Sequence, residues 1–159
     1  ARLPKAVRGV IIGDVNPETA GHIMGKAKAL GCDERLELRP WTSRAEVHDA
    51  ISRASLTVFP SIWDEPFGLV GLESQTLGVP VVGYDTGGIR DWLLDGVTGY
   101  CVPARDRVGL AAAAERVLAD TELRAEMGRC GMERSAALFT RSGHLSRLLA
   151  RYQEACCPT

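Results

Sequence analysis

Apolar and polar positions along this chain follow two alternating periods. Short apolar runs at Val7–Ile12, Leu36–Leu38, Leu56–Phe59, Val79–Tyr84 and Tyr100–Val102 are mostly rich in β-branched residues and bounded by Gly, Pro or Ser, a pattern that predicts buried strands. Between and after them, apolar residues recur at helical spacing. Ala20, Ile23, Met24, Ala27 and Leu30 form one stripe, stopped by Gly31. Ser43 followed by Glu46 makes a capping box for a helix through Ser52. A helix begins behind Gly68 and stops at Gly78, and Ile89–Leu94 predicts a short one. Three helices finish the chain, striped by Leu110, Ala111, Ala114, Val117 and Leu118, by Leu123, Met127, Cys130 and Leu138, and by Leu145, Leu148, Leu149 and Tyr152. All three stripes are expected to face the core. Strands alternating with helices predict an α/β fold, a doubly wound and mostly parallel sheet with helices on both faces. With no repeat, low-complexity stretch or interior boundary, residues 1–159 read as a single domain.

Composition narrows the function. A net charge of −1, with 16 Arg and 3 Lys in no dense run, gives no field that would gather nucleic acid or an anionic membrane. No apolar stretch reaches the ~18–20 residues of a membrane span, and the start does not resemble a signal peptide. The five cysteines are odd in number and form no C-x-x-C pair, which argues against a disulfide framework or zinc site and for reduced thiols in a cytoplasm. Adjacent Cys156 and Cys157 read as a tail feature, since no lipidation motif accompanies them. His22, His48 and His144 stand apart, without metal-ligand spacing, and are expected to be surface or partly buried structural residues.

The most informative segment is Glu65-Pro66-Phe67-Gly68-Leu69-Val70-Gly71-Leu72-Glu73. A strand, a loop and a helix start converge there. Unpaired N–H groups and the helix dipole make such a junction a natural anion site. Gly68, Leu69 and Val70 are placed to present backbone N–H groups to phosphates, the glycine allowing close approach. Glu65 falls in the loop and Glu73 about 7.5 Å beyond Gly68 along the helix axis, at ~1.5 Å per residue. Carboxylates on both sides of a bound diphosphate suit a nucleotide-sugar, with its sugar at one end and its ribose at the other. A glycosidase needs its retaining carboxylates about 5–5.5 Å apart, and a pair straddling a helix start does not meet that need. Gly13-Asp14 follows a strand but lacks G-x-G-x-x-G, so a dinucleotide enzyme is poorly supported.

The ordered set Phe59-Pro60-Ser61, Glu65-Pro66-Phe67-Gly68, Glu73, Gly78-Val79-Pro80-Val81-Val82, Thr86-Gly87-Gly88 and Asp95-Gly96-Val97-Thr98-Gly99 resembles the donor-binding half of retaining glycosyltransferases of family four, whose fold is called GT-B. Weaker similarity covers nearly all of the chain. The resemblance implies that Glu65 holds a hydroxyl of the transferred sugar near the reacting carbon and that Glu73 binds the ribose hydroxyls. It also implies a nucleotide-sugar donor, most simply UDP-linked with GDP and ADP as rivals, and no cofactor. The absence of any D-x-D triplet agrees with the metal independence of that fold. Arg39-Pro40 falls where the family lines its base pocket, using backbone atoms after the third strand, or else Arg39 is a strand-end surface residue. Trp41 stacks on the base or caps the core. Phe67, Gly87 and Gly88 border the sugar site, or Gly87-Gly88 is a turn needing positive φ.

Two things in the family's pattern have no counterpart in this sequence. One is the first strand of a six-stranded sheet of order 3-2-1-4-5-6, with the Arg/Lys loop behind it. The other is an acceptor-binding N-terminal domain. The expectation is therefore a piece of a larger enzyme, inactive in transfer by itself, with an acceptor that is not identified here. A missing domain or second chain would complete the sheet, and peripheral membrane contact could come only through that part. Without the first strand, Val7–Ile12 and Leu56–Phe59 either close against each other or leave a slot that another segment fills; the second is favoured, because closure would misplace the helices by ~4.8 Å. The rival functions are a GT-B nucleotide-sugar epimerase, disfavoured by the Glu65–Gly68 segment, and a non-catalytic nucleotide-binding or interaction module.

Overall fold

The computed structural model describes residues 3–156, and Cys157 lies outside them. The strands are β1 (Gly9–Ile12), β2 (Leu36–Arg39), β3 (Thr57–Phe59), β4 (Val81–Asp85) and β5 (Gly99–Pro103). The helices are α1 (Pro17–Ala29), α2 (Arg44–Ser52), α3 (Leu69–Thr76), α4 (Arg107–Ala119), α5 (Thr121–Leu138) and α6 (Arg141–Cys156). Each predicted strand is found, with ends moved by two residues at most. The helix expected over Ile89–Leu94 is instead a three-ten turn at Gly87–Asp91, because the Gly87-Gly88 pair opens it earlier and tighter. The capping box forms as read, with Ser43 Oγ accepting from the Glu46 N–H and Glu46 accepting from the Ser43 N–H.

Every strand pairing is parallel, but the strands form two sheets, β1-β2 and β3-β4-β5. Side chains of neighbouring strand residues point to opposite faces, and β4 uses both. Val81 packs with Ile89, Trp92 and Leu93, against which Phe59, Phe67 and Leu72 lean. Val82 packs on the other face with Val117 of α4 and Met127 of α5. This is the expected α/β layering, with helices on both faces.

Closure of β1 onto β3 is not found, for no ladder joins them. The register shows what their outer edges present. The Gly13 N–H bonds Arg39 O at 3.2 Å and the Thr57 N–H bonds Pro80 O at 3.0 Å. Amides on a strand alternate sides, so Val10, Ile12 and Val58 turn their backbone groups away from their single partner strands. Val10, Ile11 and Val58 are 46%, 40% and 47% exposed, whereas Val81 and Val82 on the central strand are fully buried.

Two expectations about packing are corrected. The α6 stripe does not face the core, since Leu145, Leu149 and Tyr152 are exposed and no residue of the helix is buried. Helical spacing reports which face is apolar and not whether anything covers it. Leu138, at the end of α5, shares that exposure. Trp41 does not cap the core, being 81% exposed on the loop between β2 and α2.

Candidate functional site

The site is built where β3 ends and α3 begins. Gly68 is the N-cap of α3, at φ 79° and ψ 60°, with no side chain capping the helix. That left-handed conformation favours glycine. A Cβ there would press on Phe59 and on Trp92, at 3.2 and 3.3 Å. Among the described residues, the N–H groups of Gly68, Leu69 and Val70 have no protein acceptor. Leu69 and Val70 are exposed, so the first turn of α3 offers its amides to solvent.

Glu65 is held beside that turn. Its Oε1 accepts from Ser61 Oγ at 2.8 Å and from Trp63 Nε1 at 2.6 Å, while Oε2 has no partner among the described residues. Its backbone carbonyl accepts from the Gly88 N–H at 2.8 Å. Gly87, at φ 55°, lies so close that an added Cβ would meet Glu65 N at 2.7 Å, and one on Gly88 would meet the Pro66 carbonyl. Gly87 thus opens a positive-φ turn that is pressed backbone-to-backbone against the Glu65 loop. Phe67 is half-buried, edge-on to Phe139 with ring centroids 5.5 Å apart, and its carbonyl accepts from the Trp92 indole N–H.

Glu73 sits one turn further along α3 and faces α2. Its Oε1 accepts from Arg44 Nη2 at 2.6 Å and lies 3.5 Å from His48 Nε2. Here too Oε2 has no partner among the described residues. Arg39 and Pro40 end β2 on the other sheet and are exposed; Arg39 is engaged by Glu37 on its own strand at 2.7 Å, which lowers the Glu37 pKa.

Four contributors escaped the sequence reading. Ser61 and Trp63 stand four and two residues before Glu65, a local spacing that could have revealed them. Arg44 and His48 meet Glu73 only because α2 packs on α3, and no sequence signal announces that. His48 is partly buried, as expected, but it faces a carboxylate.

The fold and site define a Rossmann-like α/β unit whose helix N-terminus lies between two partly satisfied carboxylates. Comparisons with known proteins are specific. The model of the family described as "Glycosyl transferases group 1" matches residues 2–134, and the chain belongs to that family. It is 35% identical over 129 residues to a D-inositol 3-phosphate glycosyltransferase of Thermobifida fusca, which covers 81% of this chain and 29% of the relative. A sucrose-phosphate synthase structure from Thermosynechococcus elongatus superimposes with a TM-score of 0.80 at 29% identity, over 93% of this chain and 39% of that one. Anabaena HepE, solved in complex with UDP-glucose, matches in fold with a TM-score of 0.85 at 20% identity, over 97% of this chain and 42% of that one. The chain thus spans less than half the length of each of these proteins, and its fold is the GT-B Rossmann-like one. Among the described residues no helix is long and apolar enough to cross a membrane.

Proposed function

We propose that residues 1–159 form the donor-binding domain of a retaining glycosyltransferase and take a nucleoside-diphosphate sugar, with UDP as the nucleotide of choice. The observation that carries this is the matched state of the two carboxylates. Glu65 and Glu73 each commit Oε1 to protein donors and, among the described residues, keep Oε2 unpartnered, one in the loop before an uncapped helix start and the other about a turn into that helix. The diphosphate meets the N–H groups of Gly68, Leu69 and Val70, a sugar hydroxyl donates to Glu65, and a ribose hydroxyl donates to Glu73. Trp92 packs against Gly68 and Gly71, and the Gly87-Gly88 turn bears on the backbone of Glu65 and Pro66.

In front-face substitution the leaving diphosphate deprotonates the acceptor as the bond to the anomeric carbon breaks, and the sugar passes through an oxocarbenium-like state. The part of this chain is to stabilise charge on the leaving phosphate and to orient the sugar. No metal is needed for either. The acceptor, and further charge for the diphosphate, come from polypeptide outside residues 1–159. That missing part or a second chain supplies a strand for the open edges of β1 and β3, where Val10, Ile12 and Val58 direct backbone groups that are unpaired among the described residues.

Calorimetric titration tests the assignment. UDP, GDP and ADP rank the base, and Glu73→Gln weakens nucleotide binding by about 1.5–3 kcal/mol, the range for a hydrogen bond to a charged group. An unchanged dissociation constant in that variant would remove ribose binding from the proposal.

A further inference from the structure

Glu73 is not a free carboxylate waiting for a ligand. Arg44 is the first residue of α2, straight after the Ser43 cap, and His48 lies one turn on, so both side chains rise from the same face of that helix. Arg44 Nη2 donates to Glu73 Oε1 at 2.6 Å, and His48 Nε2 stands 3.5 Å from the same oxygen. His48 Nε2 is shut off from solvent yet makes no hydrogen bond among the described residues. A buried ring nitrogen facing a carboxylate is reasonable only as an N–H donor, since a lone pair aimed at the oxygen would be repelled. Arg44 also runs against helix electrostatics, because a cation in the first turn meets the positive end of the dipole. Its place is explained by Glu73 and not by the stability of α2.

We infer that Arg44 and His48 are positioning residues for the nucleotide, fixing Oε1 of Glu73 so that Oε2 is aimed at the ribose hydroxyls. This rests on Glu73 as the ribose ligand and adds the device that orients it. A carboxylate pinned at one oxygen loses its rotational freedom before the ligand arrives, so less ordering remains for the binding step. The adjacent guanidinium offsets the loss of solvent around Glu73 when a nucleotide covers it.

The test compares UDP with 2′,3′-dideoxy-UDP, whose ribose offers no hydroxyl to Glu73. The wild-type protein prefers UDP by roughly 10- to 100-fold, and Glu73→Gln removes most of that preference. Arg44→Ala and His48→Ala each reduce the preference by about fivefold or more, as expected for side chains that meet at one carboxylate oxygen. His48→Gln, which returns an N–H donor near the position of Nε2, restores it. Arg53→Ala removes the same charge from the end of α2, where the partner is Asp49, and leaves the preference unchanged. If Glu73→Gln abolishes the preference while Arg44→Ala and His48→Ala leave it intact, the positioning role is wrong and the ribose assignment survives. If the wild-type protein shows no preference, both fall together. Tighter UDP binding by Arg44→Ala would make the arginine a competitor for Glu73 and overturn the inference as well. Arg44 is 78% exposed at its side chain, so Arg44→Gln decides the matter even should His48→Ala unfold.

Discussion

Gly87→Ala is the sharpest probe of how this site is assembled. At φ 55° an L-residue is strained, by about 1–2 kcal/mol. The new Cβ also meets the Glu65 backbone, with its nitrogen at 2.7 Å and its carbonyl carbon at 2.9 Å. Backbone cannot rotate away as a side-chain tip can, so the two segments must part, and overpacking of this kind costs about 1–3 kcal/mol. Parting them stretches the Gly88 N–H to Glu65 carbonyl bond, 2.8 Å in the native arrangement, and its loss adds about 0.5–1.5 kcal/mol. The total is about 2.5–6.5 kcal/mol, which for a chain of this size lowers the melting temperature by about 5–26 °C. Gly13→Ala is the control, since a Cβ there meets nothing within 4 Å, and it should melt close to wild type. Calorimetric titration completes the assay. Because Gly87 bears on Glu65 and not on Glu73, the variant should lose more affinity for the nucleotide-sugar donor than for its free nucleoside diphosphate under conditions where it is folded. A Gly87→Ala protein that melts within a degree or two of wild type and binds both ligands normally would refute this account of the turn.

Three further outcomes are expected. Glu65→Ala in an enzyme competent for transfer lowers turnover far more than it weakens UDP, which has no sugar to hold; equal losses in kinetics and titration would make Glu65 a general structural residue. Glu46 is held down to a pKa of about 2 by donors from Thr42 and Ser43, so its contribution to stability is fully present above about pH 4.5 and disappears as pH falls through about 2. The difference in melting temperature between wild type and Glu46→Gln should therefore narrow steadily from pH 4.5 downward, and a constant gap across that range would contradict it. Removal of divalent ions with EDTA should leave the UDP dissociation constant unchanged, and a large loss restored by magnesium would place a metal at the diphosphate.

Local chemistry made much of this protein legible in its sequence. Val81-Val82 could only be a buried strand, Ser43 and Glu46 form their box within one turn, and Gly68 before Leu69-Val70 placed a helix start beside Glu65. Such features depend on residues a few positions apart, and sequence lists those neighbours directly. Tertiary structure decided what depends on distance along the chain. Gly87 and Gly88 bear on Glu65 and Pro66 across some twenty residues, and Trp92 fixes Phe67 through its carbonyl. Arg44 and His48 reach Glu73 from another helix, a meeting that only the packing of α2 on α3 creates. The same distinction explains the misplaced stripes. Leu145, Leu149 and Tyr152 mark an apolar face as clearly as Val117 and Met127 do, yet only the latter are buried. Periodicity fixes the direction of a side chain around its helix axis; whether a surface lies opposite is a property of the assembled fold.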